Sequence, residues 1–487
     1  MTLSYIPSDT NDEGILKAAA SGSLPNGKPV IVNADGTVSV VGGTSISQSK
    51  GSEVTFNAGQ SAGLSSAFDI NSGKVVVTYK DGANSDYPTA VVGTISGSSV
   101  SFGSEVVIDT VSSSTTCVVY DSNSNKVAVF YVNNGLKGKV GTVSGTGISF
   151  GSAGSISLSS DPTLTKRGAV FDPDTNKIVV AYKQASASSK AVIATVSGTD
   201  VTFGTPVQLD SSTAGVEEIG LGYDTLNNKV IAAYRNPNSP YDCKVVVGTV
   251  SSNSISFGSE ATFNAGNQSY PATPVFDTNS GKVVIAYRDG SNSSYGKTVL
   301  GTVSGTSITF GSPVTWHSGT TYNATSVYHA DAKKVVTFFT NGSSGARGDV
   351  VVGSVSGSSI TYTSGFAISP DDTNIQTILA YDSTNKIILA NYVSEDDYHG
   401  EAVVYQPAYT PTNLTAENFI GISTGGTYAS GSNATIKIIG STSNEQSSLT
   451  AGQSYFVQTD GTLGLTADDP SVFAGTAISA TKLIVKT

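Results

Sequence analysis

Residues 276–312 read FDTNSGKVVIAYRDGSNSSYGKTVLGTVSGTSITFGS, and variants of this text recur along most of the chain. The first part has an aromatic residue and Asp before a short turn, then Lys and an apolar run ending in an aromatic residue. It occurs seven times at intervals of 51 to 53 residues, beginning at Phe68, Tyr120, Phe171, Tyr223, Phe276, Tyr328 and Tyr381. A nearly constant period of this length indicates an array of structural repeats.

A second motif, GTVSGTSITFGS in the fifth repeat, lies between successive copies of the first. It consists of two short alternating runs joined by a Ser-Gly turn, which is typical of a β-hairpin. Each period therefore contains four strands, which we name A to D and which read TPVFD, KVVIAYR, KTVLGTV and SITFGSPVTW in the fifth repeat. Four strands in about 50 residues is the size of one β-propeller blade.

The two ends of the array predict that the ring of blades is closed. The seventh copy has strands A to C but no strand D after Gln406, whereas GTSISQSKGSEVTF, at residues 43–56, aligns with strand D text. An N-terminal strand that completes the last blade would hide the open sheet edges. An open β-solenoid, the alternative, would not predict this split repeat. The predicted fold is therefore all-β: a seven-bladed β-propeller with four-stranded blades, at residues 43–408, closed by an N-terminal strand.

The sequences outside the array predict further β-structure. Residues 1–42 contain a predicted hairpin that turns at Asp35-Gly36, and residues 409–487 form a predicted small C-terminal β-domain with turns at Gly425-Gly426 and Asp460-Gly461. Closure of the propeller brings both of its ends to one blade. The two flanks are therefore candidates to form one small β-module together.

Composition excludes several classes of protein. The net charge of −11 argues against a general nucleic-acid binder, which needs a basic surface. No apolar stretch approaches the roughly 18 residues of a membrane-spanning helix, so no membrane insertion is expected. The N-terminal text lacks the basic start and apolar core of a standard secretory signal. With three His, two Cys and no CxxC motif, the chain is predicted to hold no metal and no cofactor.

The repeated Asp of the first motif invites a calcium hypothesis, but a turn role is the stronger interpretation. One carboxylate per blade is a poor calcium site, whereas an Asp at the start of a hairpin caps its own turn. We therefore assign turn capping to Asp69, Asp121, Asp172, Asp224, Asp277 and Asp382. His329 replaces this Asp in the sixth copy and is predicted to be a turn residue. Cys117 and Cys243 belong to non-adjacent blades and are predicted to be free thiols.

Candidate catalytic residues are few. A sialidase-type propeller resembles this architecture, but it needs converging arginines, a Tyr/Glu nucleophile pair and an Asp-box repeat. The Asp-box is missing here, and the four arginines are spread over blades three to six at positions 167, 235, 288 and 347. The sequence therefore predicts that this protein is not an enzyme.

A binding surface is the more plausible functional feature. In a four-stranded blade the B–C and D–A connections project from the same face of the propeller. Cations end strand B in four blades and tyrosines occupy the loops of this face: Lys80, Lys183, Arg235, Arg288, Tyr87, Tyr241, Tyr295, Tyr398, Tyr270 and Tyr322. Such residues can hold an acidic glycan by ion pairing and ring stacking. Solvated strand ends and loop-packing tyrosines are the alternative interpretation.

The repeats, the N-terminal text SGSLPNGKPVIVNADGTVSVV and the C-terminal text LTAGQSYFVQTDGTLGLT resemble structural proteins of tailed phages, particularly those of marine bacteria and cyanobacteria. The resemblance covers nearly the whole chain, and the C-terminal text is its most specific part. It implies a virion component, commonly a tail-fibre or other structural protein, assembled in the host cytoplasm and released by lysis. Its partners would be other virion proteins, and the resemblance supplies no catalytic residues.

Two functions remain open. In the first, the propeller is an attachment component that binds a host-surface polysaccharide through the B–C/D–A face. In the second, the protein is architectural, as a tail nozzle or capsid decoration, and contacts only other virion proteins. The aromatic-rich loops of the B–C/D–A face favour attachment.

Overall fold

The computed structural model describes residues 14–158, 161–184, 188–212, 215–238, 241–266, 269–369, 376–468 and 470–486. The chain divides into two compact units: Gln48–Pro407, here the repeat unit, and Met1–Ser47 together with Ala408–Thr487, here the flank unit. Apart from one 3-10 turn at Gly82–Asn84, the regular elements in these ranges are strands. No helix in the described part of the chain is long and apolar enough to cross a membrane.

The repeat unit contains seven antiparallel sheets in the described residues, one for each copy of the sequence repeat. In each sheet strand A pairs with B, B pairs with C, and C pairs with two short halves of strand D. In blades one to three the strands are Ser61–Asp69, Lys74–Asp81, Tyr87–Ser96, Ser99–Phe102 and Val106–Val107; Thr116–Asp121, Lys126–Val132, Leu136–Ser144, Gly147–Phe150 and Gly154–Ile156; and Thr163–Asp172, Lys177–Lys183, Lys190–Ser197, Asp200–Phe203 and Val207–Gln208.

Blades four to six follow the same order, except that strand A of blade five is in two pieces. Their strands are Glu217–Asp224, Lys229–Arg235, Cys243–Ser251, Ser254–Phe257 and Ala261–Asn264; Tyr270–Pro271, Val275–Asp277, Lys282–Asp289, Tyr295–Ser304, Ser307–Phe310 and Val314–His317; and Thr321–His329, Lys334–Asn341, Arg347–Ser356, Ser359–Tyr362 and Phe366–Ala367. Blade seven has Thr377–Asp382, Ile387–Val393 and Gly400–Gln406, completed by Ser49–Lys50 and Val54–Asn57 from the N-terminal side of the array.

The ring of blades is closed by this split blade. Lys50 lies opposite Tyr405, and Val54 lies opposite Ala402, so both N-terminal strands pair with strand C of blade seven. The A strands of successive blades contact one another around the whole circle, and strand A of blade seven contacts that of blade one. A hydrophobic cluster that includes Leu389 and Val77 fills the joint between these two blades. The predicted closed β-propeller is therefore confirmed, with seven sheets in the described residues.

The propeller begins later than the sequence alignment predicted. Residues 43–47 belong to the flank unit, not to strand D of blade seven. The reason is local pairing: the backbone N–H groups of Ile46 and Tyr409 each donate to the other residue's carbonyl, at 2.8 and 3.1 Å. Strand D of blade seven accordingly starts at Ser49 rather than at Gly43.

In five blades a phenylalanine of strand D lies directly opposite a small residue of strand C: Phe102, Phe150, Phe203, Phe257 and Phe310. Phe310 lies directly opposite Gly301, and a Cβ on that glycine would lie 3.3 Å from the Phe310 ring. The ring therefore covers the backbone that glycine leaves bare. Glycine in strand C and phenylalanine in strand D are thus two halves of one packing unit.

The repeated aspartates cap their turns. In all six the Oδ1 atom accepts hydrogen bonds from the backbone N–H groups two and three residues later, at 2.9 to 3.3 Å. In the sixth copy the Nδ1 atom of His329 accepts from the N–H of Ala332 at 3.1 Å. The turn assignment is confirmed for the aspartates and for His329. Within the described ranges, no group of three His, Cys, Asp or Glu side chains could hold a metal ion.

Removing one of these caps should destabilise the propeller modestly. Asp277 is buried, and Asp277→Ala would leave the N–H groups of Asn279 and Ser280 without their acceptor. We expect a loss of about 1–2 kcal/mol in the free energy of unfolding, measured by urea denaturation. Asp277→Asn is the matched control because its amide oxygen still accepts, so its loss should be smaller. Equal losses in the two variants would contradict the capping role.

The flank unit contains two antiparallel sheets in the described residues. The first has Ile15–Ala19, Asn433–Lys437, Phe419–Thr424, Pro29–Val32 and Val38–Val40 in that spatial order, and the second has Thr442–Ser443, Lys482–Val485, Val472–Ser479, Ser454–Val457 and Leu463–Gly464. The predicted hairpin of residues 29–40 is present, and the two flanks form one β-module, as predicted. The two share a sheet because Pro29–Val32 pairs with Phe419–Thr424 and Ile15–Ala19 pairs with Asn433–Lys437.

Candidate functional site

The ten residues predicted to bind a ligand divide into a converging set and a scattered set. Arg235, Arg288, Tyr270 and Tyr322 meet on neighbouring blades four, five and six. Lys80 is ion-paired with Asp86 at 2.9 Å within its own blade. The other five residues lie outside the ring contacts described below: Lys183, Tyr87, Tyr241, Tyr295 and Tyr398. Tyr241 and Tyr398 are the exposed ones among them, at 37% and 41%.

The converging residues form an alternating stack of cations and rings. The guanidinium carbon of Arg235 lies 4.6 Å from the ring centroid of Tyr270, and that of Arg288 lies 4.9 Å from the same centroid. Arg288 also lies 5.0 Å from the ring centroid of Tyr322. We call these four residues the arginine–tyrosine ladder. Because ring faces attract cations, the ladder holds two guanidinium groups in fixed positions at the B–C/D–A face.

The two arginines of the ladder differ in their ionic partners. Glu217 accepts from Arg235 at 2.5 Å and from Lys183 at 3.2 Å. Burial of the Glu217 carboxyl opposes ionisation, but these two hydrogen bonds outweigh it and lower its pKa. Arg288 has no carboxylate partner among the described residues, and its Nε atom has no hydrogen-bond acceptor there. Of the two ladder arginines, Arg288 is therefore the one whose charge is available to an incoming anion.

A cavity of about 640 Å³ opens beside the ladder, at the end of the strands that line the propeller axis. Its wall includes Arg288 and Tyr322 from the ladder and also Lys166, Arg167 and Glu218. We call this cavity the channel mouth. Lys166 and Arg167 also line a smaller cavity of about 200 Å³ whose wall includes Cys117. The channel mouth combines three cations with one carboxylate in a protein whose net charge is −11.

Bulges in the A strands build the channel mouth. The register of strand A slips against strand B between Leu164 and Ala169 in blade three, and strand A is similarly bulged in blades one, four and six. Glu218 and Asn323, at two of these bulges, have φ of 52° and 49°. A bulge leaves backbone groups unpaired and turns side chains away from the sheet pattern. It therefore directs polar side chains and carbonyl groups toward the axis.

Lys166 and Arg167 reach across the axis to other blades. Arg167 Nη1 donates to the carbonyl of Ala324 in blade six at 2.6 Å, and Nη2 lies 3.6 Å from Glu218 in blade four. Lys166 Nζ donates to the carbonyl of Thr377 in blade seven at 2.7 Å. Burial, reinforced by the nearby charge of Arg167 and opposed by Glu218, lowers the pKa of Lys166 to about 7. These two side chains bridge blades three, four, six and seven.

Sequence reasoning predicted Lys183 of blade three as a site residue but missed Lys166 and Arg167 of the same blade. The arginines are separated along the chain, as noted, yet Arg167 and Arg288 line one cavity, and Arg235 joins them through Tyr270. Residues 165–167 read TKR three residues before the repeat motif, where the other blades carry no cation. That departure from the repeat was the available signal. It did not reveal the direction of the side chains, because the direction depends on the bulge.

Two other features of the protein lack the groups of a specific site. A cavity of about 820 Å³ in the flank unit is lined mainly by apolar side chains such as Phe419 and Ile439, so it lacks the converging polar groups of a specific site. Cys117 and Cys243 are free, as predicted, but both are buried. Burial raises the pKa of Cys117 to about 12 and also raises that of Cys243, so neither thiol is a reactive nucleophile.

Comparison with known proteins adds little to this description. No family model matches the chain, and no curated protein matches it. Among the solved structures that it matches, one is a chain of a mitotic checkpoint complex, with a TM-score of 0.44 and 11% identity over 74% of this chain and 95% of that chain. Another is an arginine-to-alanine mutant of AofleA from Arthrobotrys oligospora, with a TM-score of 0.43 and 10% identity over 70% of this chain and 93% of that chain. The fold assignment rests on the sheet topology, not on these weak similarities.

Proposed function

We propose that this protein is a non-enzymatic phage virion component that attaches to an acidic glycan on the host surface through the B–C/D–A face of its propeller. The observation that carries the proposal is the arginine–tyrosine ladder, with Arg288 left without a carboxylate partner in the described residues. Fixed guanidinium groups bind carboxylates through paired hydrogen bonds, and flanking aromatic rings offer apolar surface to a sugar. The virion assignment comes from the sequence resemblance alone.

The ionic pairing at this face supports binding rather than catalysis. Glu217 is held between Arg235 and Lys183, and their hydrogen bonds lower the pKa of its carboxyl despite its burial. A general acid needs a raised pKa instead. The arrangement therefore suits recognition of charge. The alternative function, an architectural virion protein that contacts only other virion proteins, is the opposite outcome of the experiment below.

The test is binding of the fluorescent full-length chain to marine bacterial and cyanobacterial cells, before and after their surface polysaccharide is stripped. We expect saturable binding that stripping abolishes. Arg235→Ala/Arg288→Ala should weaken it at least tenfold, since hydrogen bonds to charged groups contribute about 1.5–3 kcal/mol each. The matched control is Lys229→Ala/Lys282→Ala, which removes two charges from the opposite ends of the same two strands.

The outcomes separate the two functions. If the lysine control variant binds cells as the unmodified protein does and the arginine variant does not, the result supports attachment through this face. Equal loss in both variants would mean that net charge, not the ladder, drives binding. If the chain binds none of the cells, stripped or unstripped, but is still incorporated into particles, the result supports the architectural function. Melting temperatures of all variants are recorded so that unfolding is not mistaken for lost binding.

A further inference from the structure

The channel mouth has properties that the surface ladder alone does not explain. Its volume, about 640 Å³, falls in the range of small-molecule pockets, which is about 300–1,000 Å³. Three of its wall residues are cations, and the acidic one, Glu218, lies 3.6 Å from Arg167 Nη2, a distance too long for a strong hydrogen bond. The cavity is thus a small, positively charged recess in an acidic protein.

Two guanidinium groups in this recess have hydrogen-bond donors without acceptors. The Nε atoms of Arg167 and Arg288 are buried and have no partner among the described residues. The side chain of Arg167 is only 8% exposed, so its unsatisfied N–H group is costly. The edge of a guanidinium that carries Nε and one Nη atom matches the two oxygens of a planar carboxylate. A carboxylate bound in the recess would be attracted by the charge of both guanidinium groups, whereas a neutral hydroxyl would not.

We infer that the channel mouth is a subsite for one sugar residue that bears a carboxylate, which Arg288 and Arg167 bind while Tyr322 contacts the sugar ring. This inference rests on the proposed function and identifies the part of the acidic glycan that the propeller recognises. At about 640 Å³ the channel mouth has room for one sugar residue with its carboxylate.

Lys166 makes the subsite sensitive to pH. Its pKa is lowered to about 7 by burial and by Arg167, while Glu218 opposes the shift. The other titratable group close to it is Cys117, a neutral buried thiol whose Sγ lies 3.5 Å from the Lys166 carbonyl. A bound carboxylate favours the charged lysine, so binding takes up a proton near neutral pH. Affinity should therefore fall several-fold between about pH 6 and pH 8.5, and Lys166→Met should remove that dependence.

The test is calorimetric titration of the full-length chain with sodium glucuronate, glucose and glucose 6-sulfate. Glucuronate should bind with a Kd on the order of millimolar, which is typical for a ligand of this size, and glucose should bind at least tenfold more weakly. Arg288→Gln should weaken glucuronate binding at least tenfold, whereas Lys282→Gln, in the same strand, should not change it. Arg288→Lys, which keeps the charge but loses the planar fork, should fall between the two.

Each contrary result has a distinct meaning. Equal binding of glucose and glucuronate, or sulfate binding as tight as glucuronate, would overturn the carboxylate subsite. So would an unchanged affinity in Arg288→Gln. If the chain binds cells through polysaccharide and Arg235→Ala/Arg288→Ala abolishes that binding, but glucuronate neither binds nor competes, the proposed function stands and this inference fails. If neither cells nor glucuronate are bound, both fail.

Discussion

Replacing Gly51 with alanine should open the propeller at the joint between blades seven and one. Gly51 lies between the two N-terminal strands that complete blade seven, and its N–H donates to the carbonyl of Val404 at 2.9 Å. A Cβ at this position would lie 1.8 Å from the carbonyl oxygen of Ser98 in blade one. Because that contact is with backbone, no side-chain rotation can relieve it. The N-terminal strand or blade one has to move.

We expect Gly51→Ala to lower the free energy of unfolding by about 2–4 kcal/mol. This is at or slightly above the usual cost of an overpacked buried contact, because the clash is with backbone. This destabilisation affects the N-terminal segment that closes the ring, which consists of two short strands, Ser49–Lys50 and Val54–Asn57. Detachment would expose the edge of strand C in blade seven, and an open edge promotes aggregation. The expected result is a melting temperature lower by several degrees and concentration-dependent aggregation, measured by calorimetry and light scattering.

The fifth blade provides the matched control. Gly311 is the equivalent glycine of strand D there, but a Cβ on it would lie 3.7 Å from the carbonyl oxygen of Ser358, an ordinary contact. Gly311→Ala should therefore melt close to the unmodified protein. Deletion of residues 48–57 should aggregate more strongly than Gly51→Ala. Unchanged melting and solubility after that deletion would refute closure by the N-terminal strand.

Glu401→Gln should stabilise the protein at alkaline pH. Glu401 lies on strand C of blade seven, is 6% exposed, and accepts from Thr55 Oγ1 at 2.9 Å, while its Oε2 atom has no partner among the described residues. Burial, opposed by the Thr55 hydrogen bond and assisted by the charge of Glu53, raises its pKa to about 7. The folded protein thus retains a proton here that the unfolded chain has released.

The pH dependence follows from the direction of this shift. Below the ordinary pKa of Glu both states are protonated and no penalty exists. As pH rises toward 7 the unfolded chain ionises first, so stability falls, and above 7 the full cost of a buried charge is present. Glu401→Gln removes that cost, so we expect about 1–3 kcal/mol more stability at pH 8.5 and little difference at pH 4. Urea unfolding at the two pH values measures both quantities.

Glu260→Gln is the control with the opposite sign. Burial of the Glu260 carboxyl opposes ionisation, but the hydrogen bond from Lys244, at 2.8 Å, and others outweigh it and lower its pKa. Its contribution to stability is present above the ordinary pKa of Glu and is lost as pH falls. Glu260→Gln should therefore destabilise the protein at neutral pH and converge with the unmodified protein in acid. Destabilisation by Glu401→Gln at pH 8.5 would contradict the assigned cause.

The strand order, the closure and the capped turns could be predicted because they depend on local or repeated features. An Asp caps the turn that it begins, so Asp277 needs only the next three residues to fulfil its role. The alternation of strands and the period of 51 to 53 residues identify a blade without any knowledge of its neighbours. A missing strand at one end and a spare one at the other then specify closure.

The predicted start of the propeller, at Gly43, is too early because the partner of this segment is set by the tertiary structure. The text of residues 43–48 has strand D character, but such text pairs equally well with any free strand edge. Which edge it meets depends on the tertiary structure, and Ile46 pairs with Tyr409 in the flank unit. Sequence similarity between copies could not distinguish these partners.

The amino-acid sequence by itself determined the blades, their number, their closure and the face on which cations and tyrosines accumulate. Only the tertiary structure decided that Lys166, Arg167 and Arg288 line one cavity. Lys166 meets Thr377 across 211 positions of sequence, and Arg167 meets Ala324 across 157. Such contacts depend on how the ring closes and on bulges that turn side chains toward the axis. The repeat period predicts which residues are neighbours within a blade. It does not predict which residues of different blades meet near the propeller axis.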